Sequence, residues 1–285
     1  MTAPGQPVID MARLKSWIGR EDTGAEVISE DLARKYHAMF DAPGTPPAHG
    51  EPVPRLIHFC LAQPAVPTAE LGPDGHPTRG GFLPPVPLPR RMWAGGALTF
   101  HGDLKVGDGV KRVSRIADVA LKDGRTGPLC FVTVEHRVEA NGVLAIEERQ
   151  DVVYRGADIP ASSGNAPSPA ETGDHVKPMT AGTPLLFRYS ALTFNAHRIH
   201  YDRPYATEVE GYPALVVQGP MQAALLCTYA AELRGAPPAR FSFRGLSPLF
   251  DTDTFALHAT ADADGLKLWT AREGGPVSMA AEASW

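Results

Sequence analysis

Two histidines and one amide side chain lie within six consecutive positions of the sequence. Asn195, His197 and His200 form this cluster, and Asp202 follows two residues later. A histidine with an ordinary pKa of about 6.5 can act as a general base on water at neutral pH. A neighbouring amide can hold that water without adding charge. The cluster therefore predicts a water-activating site, although spacing alone leaves open that both histidines are capping or surface residues of a loop.

A predicted helix begins shortly after this cluster, at Gly219-Pro220, and runs to about Leu233. Its residues are apolar on every side, which is typical of a buried helix. The first N–H groups of a helix are unpaired donors at the positive end of the helix dipole. The Gly219 N–H could therefore stabilise an oxyanion that develops on a thioester carbonyl. A Gly-Pro helix start can also serve packing alone.

Several arginines are candidates for binding anionic substrate groups, because arginine pairs bidentately with carboxylates and phosphates. Two of them belong to PLPRRMWAGG, at the end of a Pro/Gly-rich stretch (63–97) for which we expect a folded binding loop. The residues expected to contact substrate are Arg90, Arg91, Trp93, His197, Arg198 and Gln218.

A metal site is weakly supported by the sequence. His197, His200 and Asp202 are close together, but zinc requires three or four converging ligands and the other histidines show no partner spacing. We therefore expect no metal.

The composition excludes several classes of protein. The chain has 285 residues and a net charge of −5, which argues against a nucleic-acid-binding surface. We find no apolar run approaching the roughly 18 residues of a membrane span and expect no membrane association. Three cysteines (Cys60, Cys130 and Cys227) lie in apolar runs at unrelated spacings, which favours buried thiols in a reducing compartment. We expect a cytoplasmic protein.

The rest of the chain indicates two similar units. A helix with Ser29 as N-cap comes early, and runs rich in β-branched residues follow from Ala97, with a turn signal at Asn141-Gly142. Residues 156–177 are low in hydrophobic residues and predict a linker. Phe100, Gly102 and Asp108 recur as Phe243, Gly245 and Asp251, all at an offset of 143 residues, which indicates a duplicated helix-plus-sheet unit.

The phrase FNAHRIH resembles the hydratase motif Gly-Asp-x-Asn-Pro-(Leu/Ile)-His of the MaoC-like (R)-specific enoyl-CoA hydratases. Asn195 falls on the family's Asp, His197 on its Asn and His200 on its His. Three longer phrases are similar to the double-hot-dog branch that includes mesaconyl-C4-CoA hydratase, itaconyl-CoA hydratase and the type 2 hydroxyacyl-thioester dehydratases. They are FRYSALTFNAHRIHYD, GYPALVVQGPMQAALL and LPRRMWAGGALTFHGDLKVGD.

The resemblance implies an α+β double hot-dog fold, with two antiparallel sheets each wrapped around a central helix. The first hot-dog would span 1–155 and be degenerate, 156–177 would link it to the second, and 178–285 would carry the hydratase motif. The implied partner is a CoA thioester, with no cofactor beyond the CoA of the substrate. A homodimer is one expectation for such chains.

The implied reaction is hydration of a five-carbon dicarboxylyl-CoA, itaconyl-CoA or mesaconyl-C4-CoA, to citramalyl-CoA by a hydro-lyase. His200 would activate water, Asn195 would hold it, and Gly219 would polarise the thioester carbonyl. Asn195 cannot take a proton, so proton transfer would rest on His200. The alternatives are a (3R)-hydroxyacyl-thioester dehydratase of fatty-acid synthesis, a non-catalytic acyl-CoA-binding protein and, more distantly, a metallohydrolase.

Overall fold

The computed structural model describes residues 8–124, 127–156 and 168–285. Within these residues the chain forms four α-helices: α1 (Met11–Lys15), α2 (Glu30–Met39), α3 (Thr183–Leu192) and α4 (Gly219–Arg234). The strands are β1 (Glu21–Val27), β2 (Arg90–Phe100), β3 (Gly109–Gly124), β4 (Gly127–Ala140), β5 (Val143–Arg155), β6 (His175–Thr180), β7 (Arg240–Gly245), β8 (Thr254–Asp262), β9 (Gly265–Arg272) and β10 (Val277–Ser284).

The strands form one antiparallel sheet in the order β1-β3-β4-β5-β2-β7-β10-β9-β8-β6. The two halves of this order are mirror equivalents, since β1 corresponds to β6, β3 to β8, β4 to β9, β5 to β10 and β2 to β7. The predicted internal duplication is therefore confirmed by the strand order. The two predicted sheets are joined edge to edge into one, and the expected homodimer stays a prediction.

Strand β2 joins the two halves by pairing with β7. A Cβ atom on Gly96 would lie only 2.6 Å from Cζ of Phe243, so the absence of a side chain there permits the close approach. The expectation that Arg90 to Gly96 form a binding loop is wrong, because these residues belong to the strand that closes the sheet.

Helix α4 lies in the core of the C-terminal half and contacts β8, β9 and β10. It begins with Pro220 in its first turn and ends at Gly235, whose φ of +69° is the left-handed conformation that glycine adopts readily. The predicted helix and both of its boundaries are confirmed. The residues of α4 that are buried are Met221, Gln222, Ala223, Ala224, Leu225, Leu226, Cys227, Tyr229 and Ala230.

The N-terminal half has no counterpart of α4 among the residues that the structure describes. Helix α2 corresponds in order to α3, since each follows the outermost strand of its half, and the Ser29 hydroxyl caps α2 by accepting from the Leu32 N–H at 3.1 Å. Residues between α2 and β2 cover the sheet of the N-terminal half instead. Leu56 and Ile57 join the main core, and Val86 and Leu88 join a second cluster over β3–β5.

The predicted linker is too long at its C-terminal end. Half of it, residues 157–167, lies outside the described residues, but His175–Thr180 form β6 and pair with β8. The polar composition of 175–177 reflects the position of β6 at the edge of the sheet.

All three cysteines are buried and free, as predicted. Burial raises the pKa of the Cys60 and Cys227 thiols to about 12 and that of Cys130 to about 11, so they stay protonated. Of the helices that the structure describes, none is long and apolar enough to span a membrane.

Candidate active site

His200 lies in a short 3₁₀ turn, Arg198–His200, a few residues after α3. The cluster therefore follows a helix and lies in the connection that leads to α4. The His200 side chain is buried, and its Nδ1 lies 2.7 Å from the carbonyl oxygen of Val216. Since a carbonyl only accepts, Nδ1 carries the proton and Nε2 keeps its lone pair. Val216 belongs to the segment that enters α4, so this bond fixes the histidine beside the start of that helix.

Asn195 shapes the turn that presents the histidines. It follows Phe194, which has a left-handed φ of +50°. Its backbone N–H donates to the Ser190 carbonyl oxygen at 2.8 Å, and its Oδ1 accepts from the His197 N–H at 3.0 Å. The side-chain amide N–H₂ has no acceptor among the described residues, so it is left to hold a water or a substrate oxygen.

Gly219 begins α4, and no described residue accepts a hydrogen bond from its N–H. Trp93 forms a wall beside it, since a Cβ on Gly219 would lie 3.0 Å from Cε3 of that indole. Trp93 itself stacks on Phe243, with ring centroids 4.3 Å apart. The predicted oxyanion donor therefore lies at an aromatic wall contributed by the other half of the chain.

Gln218 holds two helices together, and its predicted contact with substrate stays a prediction. It is completely buried, and its Nε2 donates to the Leu186 carbonyl oxygen at 2.9 Å and to the Ser190 hydroxyl at 3.0 Å. These bonds fasten the start of α4 to α3.

The three arginines that were predicted to contact substrate differ in their partners. Arg90 donates to the Glu210 carbonyl oxygen at 2.7 Å and faces the Glu210 carboxylate, and Arg198 donates twice to Asp202. Both are therefore held by protein partners, which argues against the predicted substrate contacts. Arg91 lies by the Tyr154 hydroxyl and has no ion pair with a carboxylate in the described part of the chain.

A loop of the N-terminal half carries two further polar side chains into the site. Asp74 accepts from Nδ1 of His76 at 3.0 Å, and the His76 ring packs against His197 with centroids 4.0 Å apart. His197 in turn meets His200 edge-on, at 5.2 Å between centroids. The cluster thus contains three imidazoles and one carboxylate, drawn from both halves.

Burial holds the three imidazoles in their neutral form. It lowers the pKa of His200 to about 4, with the neighbouring His76 adding to the effect. Burial and the Arg91 charge lower the pKa of His76 to about 4, and burial with both other imidazoles lowers the pKa of His197 further. Burial opposes ionisation of Asp74, but the His76 hydrogen bonds hold the pKa of this carboxyl below its usual range.

The side chains that could together hold a metal ion differ from the set considered in the sequence, which was His197, His200 and Asp202. Asp202 is bound by Arg198, whereas ligand atoms of Asp74, His76 and His197 lie within 4.8 Å of one another. Arg91 lies close enough to lower the pKa of His76 and His197. A guanidinium at this distance disfavours a second cation, so the cluster is better suited to an anion.

Sequence reasoning missed Asp74 and His76. Pro73-Asp74-Gly75 carries a turn signature, but no local pattern pairs it with a motif more than 120 residues later in the chain. The contact depends on Gly75, where a Cβ atom would overlap the Ala196 carbonyl oxygen.

Comparison with known proteins places the chain in a family. Residues 56–251 match the family model of hydroxyacyl-thioester dehydratase type 2. The chain belongs to this family. A relative from Chloroflexus aurantiacus, named mesaconyl-C(4)-CoA hydratase, is 43% identical over 272 residues, which cover 93% of this chain and 95% of the relative.

Solved structures of similar proteins confirm the fold predicted for this dehydratase-family chain. HtdX of Mycobacterium tuberculosis has a TM-score of 0.65 at 20% identity and covers 92% of this chain and 98% of its own. A second M. tuberculosis protein, described as having a double hot-dog fold, has a TM-score of 0.53 at 15% identity, with 94% and 96% covered. The double-hot-dog class is therefore confirmed.

We predict that Gly75→Ala releases the loop from the hydratase motif, because its Cβ meets the Ala196 carbonyl and its φ is +87°. Gly80→Ala is the matched control, since Gly80 has a φ of +91° but its nearest atom, Cβ of Pro85, is 3.7 Å away. Hydrogen exchange of the Arg198 amide, which donates to the Asp74 carbonyl, should quicken by roughly 10-fold or more in the first variant only. Equal exchange in both variants would contradict this docking.

Proposed function

We propose that this hydro-lyase adds water across the carbon–carbon double bond of a five-carbon dicarboxylyl-CoA, with mesaconyl-C4-CoA as the favoured substrate and citramalyl-CoA as the product. The observation that carries the proposal is the state of His200. Its ring is buried, its Nδ1 proton is committed to Val216, and its low pKa keeps Nε2 unprotonated at neutral pH. That is the form a general base requires.

The reaction moves one proton and forms one carbon–oxygen bond. Nε2 of His200 takes a proton from a water held by the Asn195 amide, while the water oxygen bonds to the β-carbon. The electron pair of the double bond moves onto the thioester as an enolate, and the α-carbon then takes a proton from the imidazolium. The sum is addition of one water, and the histidine returns to its neutral form.

Gly219 would stabilise the enolate oxygen. Its N–H is free of an acceptor among the described residues and lies at the positive end of a sixteen-residue helix. A preorganised donor of this kind acts where charge develops in the transition state. Trp93 and the buried core around it exclude water from that side, which strengthens the interaction.

Arg91 supports a second carboxylate in the substrate. Its charge acts on His76, His197 and Asp74, but no described carboxylate lies within ion-pair distance of it. The distal carboxylate of a dicarboxylyl group placed beside these histidines would pair with it directly. The name of the Chloroflexus relative, which states a C4-linked mesaconyl thioester, agrees with this choice.

The oxyanion donor favours mesaconyl-C4-CoA over itaconyl-CoA. Only a double bond conjugated with the thioester delivers charge to the carbonyl oxygen when water attacks, and the double bond of itaconyl-CoA is one carbon removed. Itaconyl-CoA hydration would gain less from Gly219.

The main alternative is a (3R)-hydroxyacyl-thioester dehydratase, which the description of the family model favours. Such an enzyme needs an apolar channel for a long acyl chain. The N-terminal half instead has polar side chains between its two apolar clusters. His136 bridges Ser114 and Gln150 at 2.8 Å each, and His58 meets Glu148 at 3.1 Å. This buried polar network lies between two separate apolar clusters, which supports a short acyl group over a long one.

His200→Gln should lower kcat/KM for mesaconyl-C4-CoA by about 10²- to 10⁴-fold, the usual contribution of a general base. The exposed His175→Gln is the control and should change little. Because the pKa of His200 is about 4, kcat/KM of the unaltered enzyme should be flat from about pH 5.5 to pH 8. Near-normal activity of His200→Gln would refute the assignment of the base, and an acidic limb near pH 6.5 would refute its lowered pKa.

Arg91→Met should remove the preference for a dicarboxylyl substrate. Hydration of mesaconyl-C4-CoA should slow by roughly 10- to 100-fold, the cost of a lost charge-assisted pair, while crotonyl-CoA hydration changes little. Rates across mesaconyl-C4-, itaconyl- and crotonyl-CoA measure this directly, with the exposed Arg115→Met on β3 as control. An equal loss on all three substrates would argue against a carboxylate contact, and an unaltered enzyme fastest on linear enoyl thioesters would favour the dehydratase.

A further inference from the structure

The hydratase motif of this chain lacks its carboxylate, since Asn195 stands where the wider family has Asp. An amide can orient a water but can neither transfer a proton nor carry the charge that would stabilise an imidazolium. On the proposed function, a positive charge forms on His200 inside a buried site that already holds the Arg91 cation. The chemistry therefore requires a negative charge from another part of the chain.

Asp74 brings a carboxylate into the histidine cluster, on His76. Its Oδ1 accepts from the His76 backbone N–H and its Oδ2 from His76 Nδ1, both at 3.0 Å. This pairing fixes the tautomer of His76, with the proton on Nδ1 and the lone pair on Nε2. From there the contacts run from His76 to His197 and from His197 to His200.

We propose that Asp74 and His76 form a positioning dyad that replaces the missing carboxylate of the hydratase motif. The dyad acts through His197 on His200 and stabilises the positive charge that appears when water gives up its proton. This inference rests on the proposed hydratase function and adds two residues of the N-terminal half to its machinery.

Holding the loop in place does not require the Asp74 carboxylate. The loop is fastened to the motif by backbone oxygens, since the Arg198 N–H donates to the Asp74 carbonyl and the Arg198 guanidinium to the Pro73 carbonyl, both at 2.9 Å. Both hydrogen bonds that the Asp74 side chain makes within the described residues go to His76. The Asp74 carboxylate therefore orients the His76 imidazole and is not needed to attach the loop.

The chain offers a matched pair outside the site. Glu147 and His101 lie 2.9 Å apart on β5 and at the end of β2, and both side chains are more than one-third exposed. Glu147→Gln and His101→Ala thus remove the same two chemical groups as Asp74→Asn and His76→Ala, away from the histidine cluster.

The test is steady-state hydration of mesaconyl-C4-CoA by the full chain and these four variants, with thermal unfolding midpoints measured in parallel. We expect kcat to fall by about 10- to 100-fold in Asp74→Asn and His76→Ala, with KM changed by less than about threefold. Added imidazole should restore part of the activity of His76→Ala and none of that of Asp74→Asn. The Glu147 and His101 variants should match the unaltered protein.

Three results from these variants would overturn the dyad. They are an unchanged kcat in Asp74→Asn, a loss confined to KM, and a loss matched by a large fall in the unfolding midpoint without rescue by imidazole. Activity that follows stoichiometric bound zinc and is abolished by a chelator would also overturn it and make Asp74, His76 and His197 metal ligands. An unaltered protein that fails to hydrate any enoyl-CoA would instead reject the proposed function.

Discussion

The pairing of β2 with β7 is the constraint on which the rest of the structure depends. It requires two backbones to approach so closely that Gly96 has no room for a side chain beside Phe243. Because β2 is the strand of the N-terminal half that borders the other half, it brings Trp93 to the first residue of α4. The candidate active site is consequently built at the junction of the halves, with the proposed base on the C-terminal half and Trp93 of the aromatic wall on the N-terminal half. The duplication gives two equivalent half-sheets. The first half has no central helix in the described part of the chain, and one of its loops reaches the site of the second half.

The chemistry of the site follows from burial more than from any single charge. Three imidazoles removed from water stay neutral, so the cluster is basic in function without carrying positive charge in its resting form. Against this background the few full charges matter greatly, because a low-dielectric site screens them poorly. The Arg91 charge favours binding of an anion in this region. In our proposal the Asp74 carboxylate offsets that charge, so that an imidazole of the cluster can take up a proton.

Local patterns predicted much of this structure. The all-apolar run after Gly219, the Ser29 cap and the Asn141-Gly142 turn each depend on neighbours in sequence, and each was confirmed. Contacts between distant segments were not predictable in this way. The glycines of Arg90 to Gly96 indicated a loop, but they allow close pairing with a strand more than 140 residues later in the chain. Asp74 and His76 were missed for the same reason, and the choice of Arg91 required knowledge of what already binds the other arginines.

The central claim is that one site made from both halves hydrates a dicarboxylyl thioester. A crystal structure with bound citramalyl-CoA tests this claim most directly. We expect the product hydroxyl at about 3 Å from Nε2 of His200, within hydrogen-bond reach of a general base. The thioester oxygen should accept from the Gly219 N–H, and the free carboxylate should meet Arg91. A product bound with its hydroxyl turned away from His200, or with its carboxylate in solvent, would contradict the claim.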